Sequence, residues 1–235
     1  MDDADEREAF LKAIFDAPAD DLPRLVFADW LDERGESDWA ERIRIQCRRP
    51  QLPVGDGADF DRGFLRSMKL AIPAETLSDP RGFRETALRD HPEWYGCTVL
   101  KITGGPIQSG KPIQTILTSP VTARIAQLDL CGSVIDFGGS PVDGGETSEL
   151  ALLREYEYRP VVTVQAVEAL VNAREARRVT HLDLRNNDLD NDAARAIVNS
   201  KNFIRLQSLH LFDGNQLRGR TWQQLLERFG PDVVQ

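Results

Sequence analysis

Apolar and polar positions alternate in four short stretches that share one register. They are residues 90–102 (DHPEWYGCTVLKI), 118–130 (TSPVTARIAQLDL), 172–184 (NAREARRVTHLDL) and 199–211 (NSKNFIRLQSLHL). Each closes on a Leu-x-Leu or Leu-x-Ile step, beginning at Leu100, Leu128, Leu182 and Leu209. Such alternation predicts a short strand with its leucines on one face. The steps lie 28, 54 and 27 residues apart, and 54 is twice 27, so the chain carries an internal period. The clearest copy continues as Leu182-x-Leu184-x-x-Asn187-x-Leu189, with an Asn placed to bond turn backbone. Gly105 and Ser133 hold that offset in the first two copies, and in the fourth Gly214 inserts one residue before Asn215. Helical spacing precedes the strands, as in Val167, Leu170 and Val171, or Ala193, Ile197 and Val198.

A strand and a helix per period cannot bury their apolar faces alone, so the units must stack. The pattern resembles the leucine-rich repeat family, in its longer variant with a helix on the convex side, over roughly residues 84–217. The resemblance implies an α/β fold: a short right-handed solenoid with parallel strands inside and helices outside. It also implies partner binding through the concave strand face. Leucines pointing inward leave the residues between them outward. Those positions are Val99, Lys101 and Thr103; Gln127, Asp129 and Cys131; His181, Asp183 and Arg185; and Ser208, His210 and Phe212.

The doubled interval contains Gly138-Gly139-Ser140-Pro141-Val142-Asp143-Gly144-Gly145, which breaks any periodic element. Either a degenerate repeat lies near 150–160, or a loop of about one repeat leaves the solenoid after Asp136. The lack of a Leu-x-Leu step near 155 favours the loop, an insertion near 136–160 with little regular structure over 136–148. Residues 221–229 (TWQQLLERF) predict a capping helix whose Trp222, Leu225, Leu226 and Phe229 close the core, with no room for another strand after it.

Residues 1–50 predict three helices. Phe10, Ala13, Ile14 and Ala17 form one stripe. Asp20 and Asp21 precede a second helix with Pro23 in its first turn and Gly35 after its end, and Ser37 caps a third, stopped by Pro50. The run Ala28-Asp29-Trp30-Leu31-x-Glu33-Arg34-Gly35, followed by Ala40-Glu41-Arg42-Ile43-Arg44-Ile45-Gln46, resembles the bacterial repeat-companion domain. That helical module accompanies leucine-rich repeats, so the resemblance implies architecture and no chemistry. Residues 51–62 read as a linker. Residues 63–235 read as the repeat domain, opened by an edge strand with Phe64, Met68 and Leu70 on one face.

Candidate chemistry weighs little against this. Gly105-x-x-x-x-Gly110-Lys111 fits a phosphate loop, but Pro112 supplies neither the hydroxyl for magnesium nor an N–H for phosphate. Three His and three Cys show no metal-ligand spacing, and no cofactor is expected. Asp183 and His210 stand 27 apart and so face each other on adjacent strands, without a nominated nucleophile. Asp29 and Asp32 share a helix side, where caps or ion pairs account for them better than a binding patch, and Trp30 reads as core. Arg42, Arg44, Arg48 and Arg49 suit a helix C-terminus.

Composition narrows the function classes. The chain has 235 residues, 41% hydrophobic, enough for a sizeable core. A net charge of −9 disfavours nucleic acid and anionic membrane as partners. No apolar run approaches a membrane span, the five acidic side chains of the first 15 residues lead us to expect no secretory leader, and Cys47, Cys97 and Cys131, with no short pairing, suit a reducing, cytoplasmic setting. The expected function is non-catalytic: a protein–protein interaction or scaffold protein. Its partner would sit on Lys101, Asp129, His181, Asp183, Arg185, Ser208, His210 and Phe212 of the concave face. The alternative is a specificity or structural subunit of a larger enzyme or assembly, with the 136–160 insertion shaping a cleft.

Overall fold

The computed structural model describes residues 3–49, 58–71, 96–103, 107, 110–119, 122–136, 156–159 and 161–235. Among these the protein is a mixed α/β structure with seven α-helices and a six-stranded, mostly parallel sheet that does not close. Two compact units divide it. The first is residues 1–69, 90–100 and 119–125; the second is 70–89, 101–118 and 126–235.

In the first unit α1 (Asp3–Asp16), α2 (Leu22–Glu33) and α3 (Ser37–Arg48) pack around Phe27. The Phe27 ring meets Trp30, Trp39 and Phe64 at 5.6, 5.2 and 6.2 Å between centroids. Trp30 is core, as its pattern predicts, and its Nε1–H donates to Glu6 at 3.0 Å. The α1 stripe is rotated from the expected one: Leu11 and Ile14 are buried while Ala13 is exposed. Gly35 ends α2 with φ +79°. Its N–H donates to Asp32 O, and Glu36 N–H donates to Leu31 O, a paired closure open to a left-handed residue. Ser37 is no cap: it is the first helical residue of α3, and its side chain bonds Asp32.

The stretch read as linker contains β1 (Ala58–Asp61), which pairs antiparallel with β2 (Phe64–Ala71). Arg62 and Gly63, both at positive φ (50° and 87°), make the two-residue turn that fits strand twist. β2 is therefore not an edge, and Phe64 packs into the helical core. Burial and the N–H···O bond from Trp39 Nε1 to Gly63 O (2.7 Å) tie this hairpin to α3.

β3 (Val99–Thr103) crosses the boundary between units. The second unit continues with α4 (Gly110–Thr118), β4 (Gln127–Asp129), β5 (Ser133–Asp136), β6 (Tyr156–Arg159), α5 (Val164–Asn172), β7 (His181–Asp183), α6 (Asn191–Asn199), β8 (Ser208–His210) and α7 (Arg220–Phe229). Its strands run in the order β3, β4, β7, β8, and its helices also neighbour one another in chain order, α4 to α7. Leu128 pairs with Leu182 and Leu182 with Leu209, in parallel, and Leu100, Leu128, Leu182 and Leu209 are all buried. The predicted register is thus met at Leu128, Leu182 and Leu209. Gly110 permits close helix contact, because a Cβ there would lie 2.3 Å from the Cβ of Ala169 on α5.

Because β4 and β7 are direct neighbours, the doubled interval holds no further strand of this sheet between them. The chain leaves at β5 and returns at β6, which pair antiparallel. The expected excursion thus starts three residues earlier than Asp136 and begins and ends as a strand; residues 137–155, which hold its Gly-rich run, lie outside the described residues. At the other end, a parallel bridge between Leu209 and Val234 follows α7, with Leu209 N–H donating to Val233 O at 2.7 Å. The expectation that no strand-like segment follows the last helix is corrected.

Candidate functional site

Strands β3, β4, β7 and β8 follow the same burial alternation. In β4, β7 and β8 the central Leu is buried and its two neighbours are half-exposed. Strand pairing aligns the outward residues in rows. Asp129 stands beside Asp183 and Asp183 beside His210; Gln127 stands beside His181 and His181 beside Ser208. The same face carries Lys101 from β3, whose Nζ meets Asp129 Oδ2 at 2.5 Å. Lys101, Asp129, His181, Asp183, Arg185, Ser208, His210 and Phe212 are therefore all solvent-accessible in one unit.

The row is internally paired. Asp129 Oδ1 accepts Cys131 N–H at 3.1 Å, and Asp183 Oδ1 accepts Arg185 N–H at the same distance, so both strands end in the same local turn. Arg185 adds side-chain bonds to both Asp183 oxygens, at 3.0 and 2.6 Å. Burial pushes the Asp183 carboxyl up, but the Arg185 hydrogen bonds and charge, with His210 beside it, hold it below the usual carboxylate range. The bond to Asp129 likewise raises Lys101, and the bond to Asp183 raises Arg185.

Two chemical readings of this cluster meet obstacles. Ser208 Oγ and His210 Nε2 lie 3.0 Å apart, and Asp183 pairs with His210 across the strands. Nucleophilic catalysis needs the carboxylate to orient the imidazole, whereas Asp183 turns both oxygens to Arg185. Donor atoms of Asp129, Cys131 and Asp183 lie within 4.8 Å of one another, a grouping that sequence spacing missed. The signal was there: the repeat register sets Asp183 beside Asp129, and Cys131 is two residues on. A cation would compete with Lys101 and Arg185 for both carboxylates, and burial with the nearby Asp183 charge raises the Cys131 thiol away from a ligating thiolate.

Phe212 is the exposed hydrophobic of the face, at 57% accessible. Its ring packs obliquely on Trp222 at 5.4 Å, which fixes its orientation without burying it. The other motifs resolve as structure. Lys111 and Pro112 lie in α4, with Pro112 buried. Arg44 joins Asp29 and Asp32 at 2.7 and 2.6 Å, so those acids serve an ion pair. Cys47 and Cys97 are pushed up to about 11 by burial, which removes them as nucleophiles at neutral pH. No helix among the described residues is long and apolar enough to cross a membrane. Comparison with known proteins found no matching family model, no matching curated protein and no matching solved structure.

Proposed function

We propose that this chain is a non-catalytic interaction or scaffold protein that binds a protein partner through the outward face of β3, β4, β7 and β8. The observation that carries the reading is the aligned row from Lys101 through Asp129 and Asp183 to His210, with the exposed Phe212 beyond it. Polar groups already satisfied by one another, surrounding one orientated aromatic, suit a protein interface better than a small-molecule pocket. In this reading the second unit is a leucine-rich-repeat solenoid and α1 to α3 form a repeat-companion-like module. The buried, register-matched leucines support the first, and the Trp30 core with the Gly35 closure supports the second. Free thiols at Cys47, Cys97 and Cys131 support a cytoplasmic setting, and the −9 charge supports a partner other than nucleic acid.

A photo-crosslinking residue at Ser208 tests this in the native cytoplasm, against the same residue at exposed Ile204. The reading predicts one protein adduct from Ser208 that Ile204 does not give, and that Phe212→Ala removes. Equal adducts from both positions, or none, contradict it.

A further inference from the structure

The helical unit holds a second feature that the sheet face does not explain. A cavity of about 200 Å³ is lined by Arg24, Arg66 and Arg124 together with Asp61, Phe15 and Phe64. All of these residues belong to the first unit. Asp61, the one acid among the described lining residues, is already bridged to Arg62 at 3.1 Å.

Arg24 is the unusual member. It is only 3% exposed. Its Nη1 donates to the Asp20 carbonyl oxygen at 2.7 Å, while its Nε–H is buried without a hydrogen-bond partner. That is the single such side-chain atom among the described residues. Burial lowers the Arg24 pKa, and the neighbouring Arg62 charge lowers it further. Burial also lowers that of Arg124, whose guanidinium lies over the Phe15 ring at 4.0 Å. Buried guanidinium groups are costly unless paired, and an unsatisfied buried N–H points to an ion that completes it. A guanidinium fork matches the oxygens of a phosphate in geometry as well as charge. The volume falls below the roughly 300–1,000 Å³ that organic ligands of drug size occupy, so the occupant is compact.

We infer that this cavity binds a compact oxyanion, as inorganic phosphate or as the phosphate of a small monoester, with buried Arg24 as its inner donor and the exposed Arg66 and Arg124 alongside. The site is independent of the sheet face, and either assignment stands if the other fails.

Calorimetric titration of the full chain with inorganic phosphate, and separately with glycerol phosphate, tests it. Acetate at matched ionic strength serves as the control. The Arg24 Nε–H resonance is followed by NMR in the same titrations. Saturable binding of phosphate with movement of that resonance is expected, and Arg124→Gln or Arg66→Gln should weaken it by about tenfold, the loss of one charge-assisted donor. Tighter binding of the ester would identify the organic source, and equal or weaker binding the free ion. Absence of saturation by millimolar phosphate, or an Arg24 resonance that stays still, overturns the site. Binding undiminished in both variants overturns it as well. Thermal unfolding without phosphate checks that the variants fold; where they do not, the parent's Arg24 resonance decides.

Discussion

Asn215 holds Asn187 in place. Its Oδ1 accepts the Asn187 backbone N–H at 3.2 Å, and its Nδ2 donates to the Leu184 carbonyl at 2.9 Å. Asn187 acts the same way on the preceding segment: its Oδ1 accepts the N–H groups of Val161 and Val162, and its Nδ2 donates to Leu130, Leu184 and Arg185. Two equivalent asparagines thus bridge successive turns. The extra residue at Gly214, at φ +65°, does not break the pattern, because Asn215 still reaches the carbonyls of Leu184 and Leu211.

Replacing Asn187 with Ala strands the buried N–H groups of Val161 and Val162 and the Leu130 carbonyl, whereas the Leu184 and Arg185 carbonyls keep Asn215 Nδ2 and Gly132 N–H as donors. Each unsatisfied buried group costs about 1–3 kcal/mol, so Asn187→Ala should lose about 3 kcal/mol or more. Urea denaturation of the variant measures it, and a loss under about 1 kcal/mol would show that water replaces the amide.

This ladder also marks what the sequence made legible. The Leu-x-Leu steps gave the strands, their order and their outward residues, because a period of two plus a fixed repeat leaves no freedom of register. The helical module was legible through Trp30 and Gly35, where a closure bond needs a left-handed residue. What escaped carried no Leu-x-Leu step to mark it. β1 was hidden because its Arg62-Gly63 turn follows a Gly-rich stretch that reads as linker. The β5–β6 pair joins two strands of only four residues each, whose partners lie on either side of residues 137–155. The unpartnered Nε–H of Arg24 is visible only once the fold buries it.

Leu182 is fully buried at the centre of the parallel strands. Leu182→Ala should cost about 2–5 kcal/mol through the cavity it leaves. Chemical denaturation reads this directly, and a near-neutral result would place that leucine outside the core.

Gly110→Ala tests the contact between α4 and α5. The new methyl would press on Ala169, and overpacking of this kind costs about 1–3 kcal/mol. Adding Ala169→Gly should recover much of the melting temperature lost, whereas purely additive effects would mean that the helices do not meet there.

Asp183 carries a pH signature. Its lowered folded pKa gives stability that is present above the unfolded value of about 3.9 and is lost as pH falls through the lower folded value. Removing the Arg185 partner leaves burial to dominate, so in Arg185→Gln the Asp183 carboxyl should titrate higher than in the parent. Carboxyl-carbon NMR across the acid range reads the change, and an unmoved titration would show that Arg185 is not what holds Asp183 ionised.

The exposed sheet face as a partner surface is tested most directly through Phe212. The partner crosslinked at Ser208 is titrated against the parent and against Phe212→Ala, and thermal unfolding of both is recorded. An aromatic anchor predicts affinity weaker by about 1–3 kcal/mol with a nearly unchanged melting temperature. Unchanged affinity in a folded Phe212→Ala protein would contradict the assignment of function to this face.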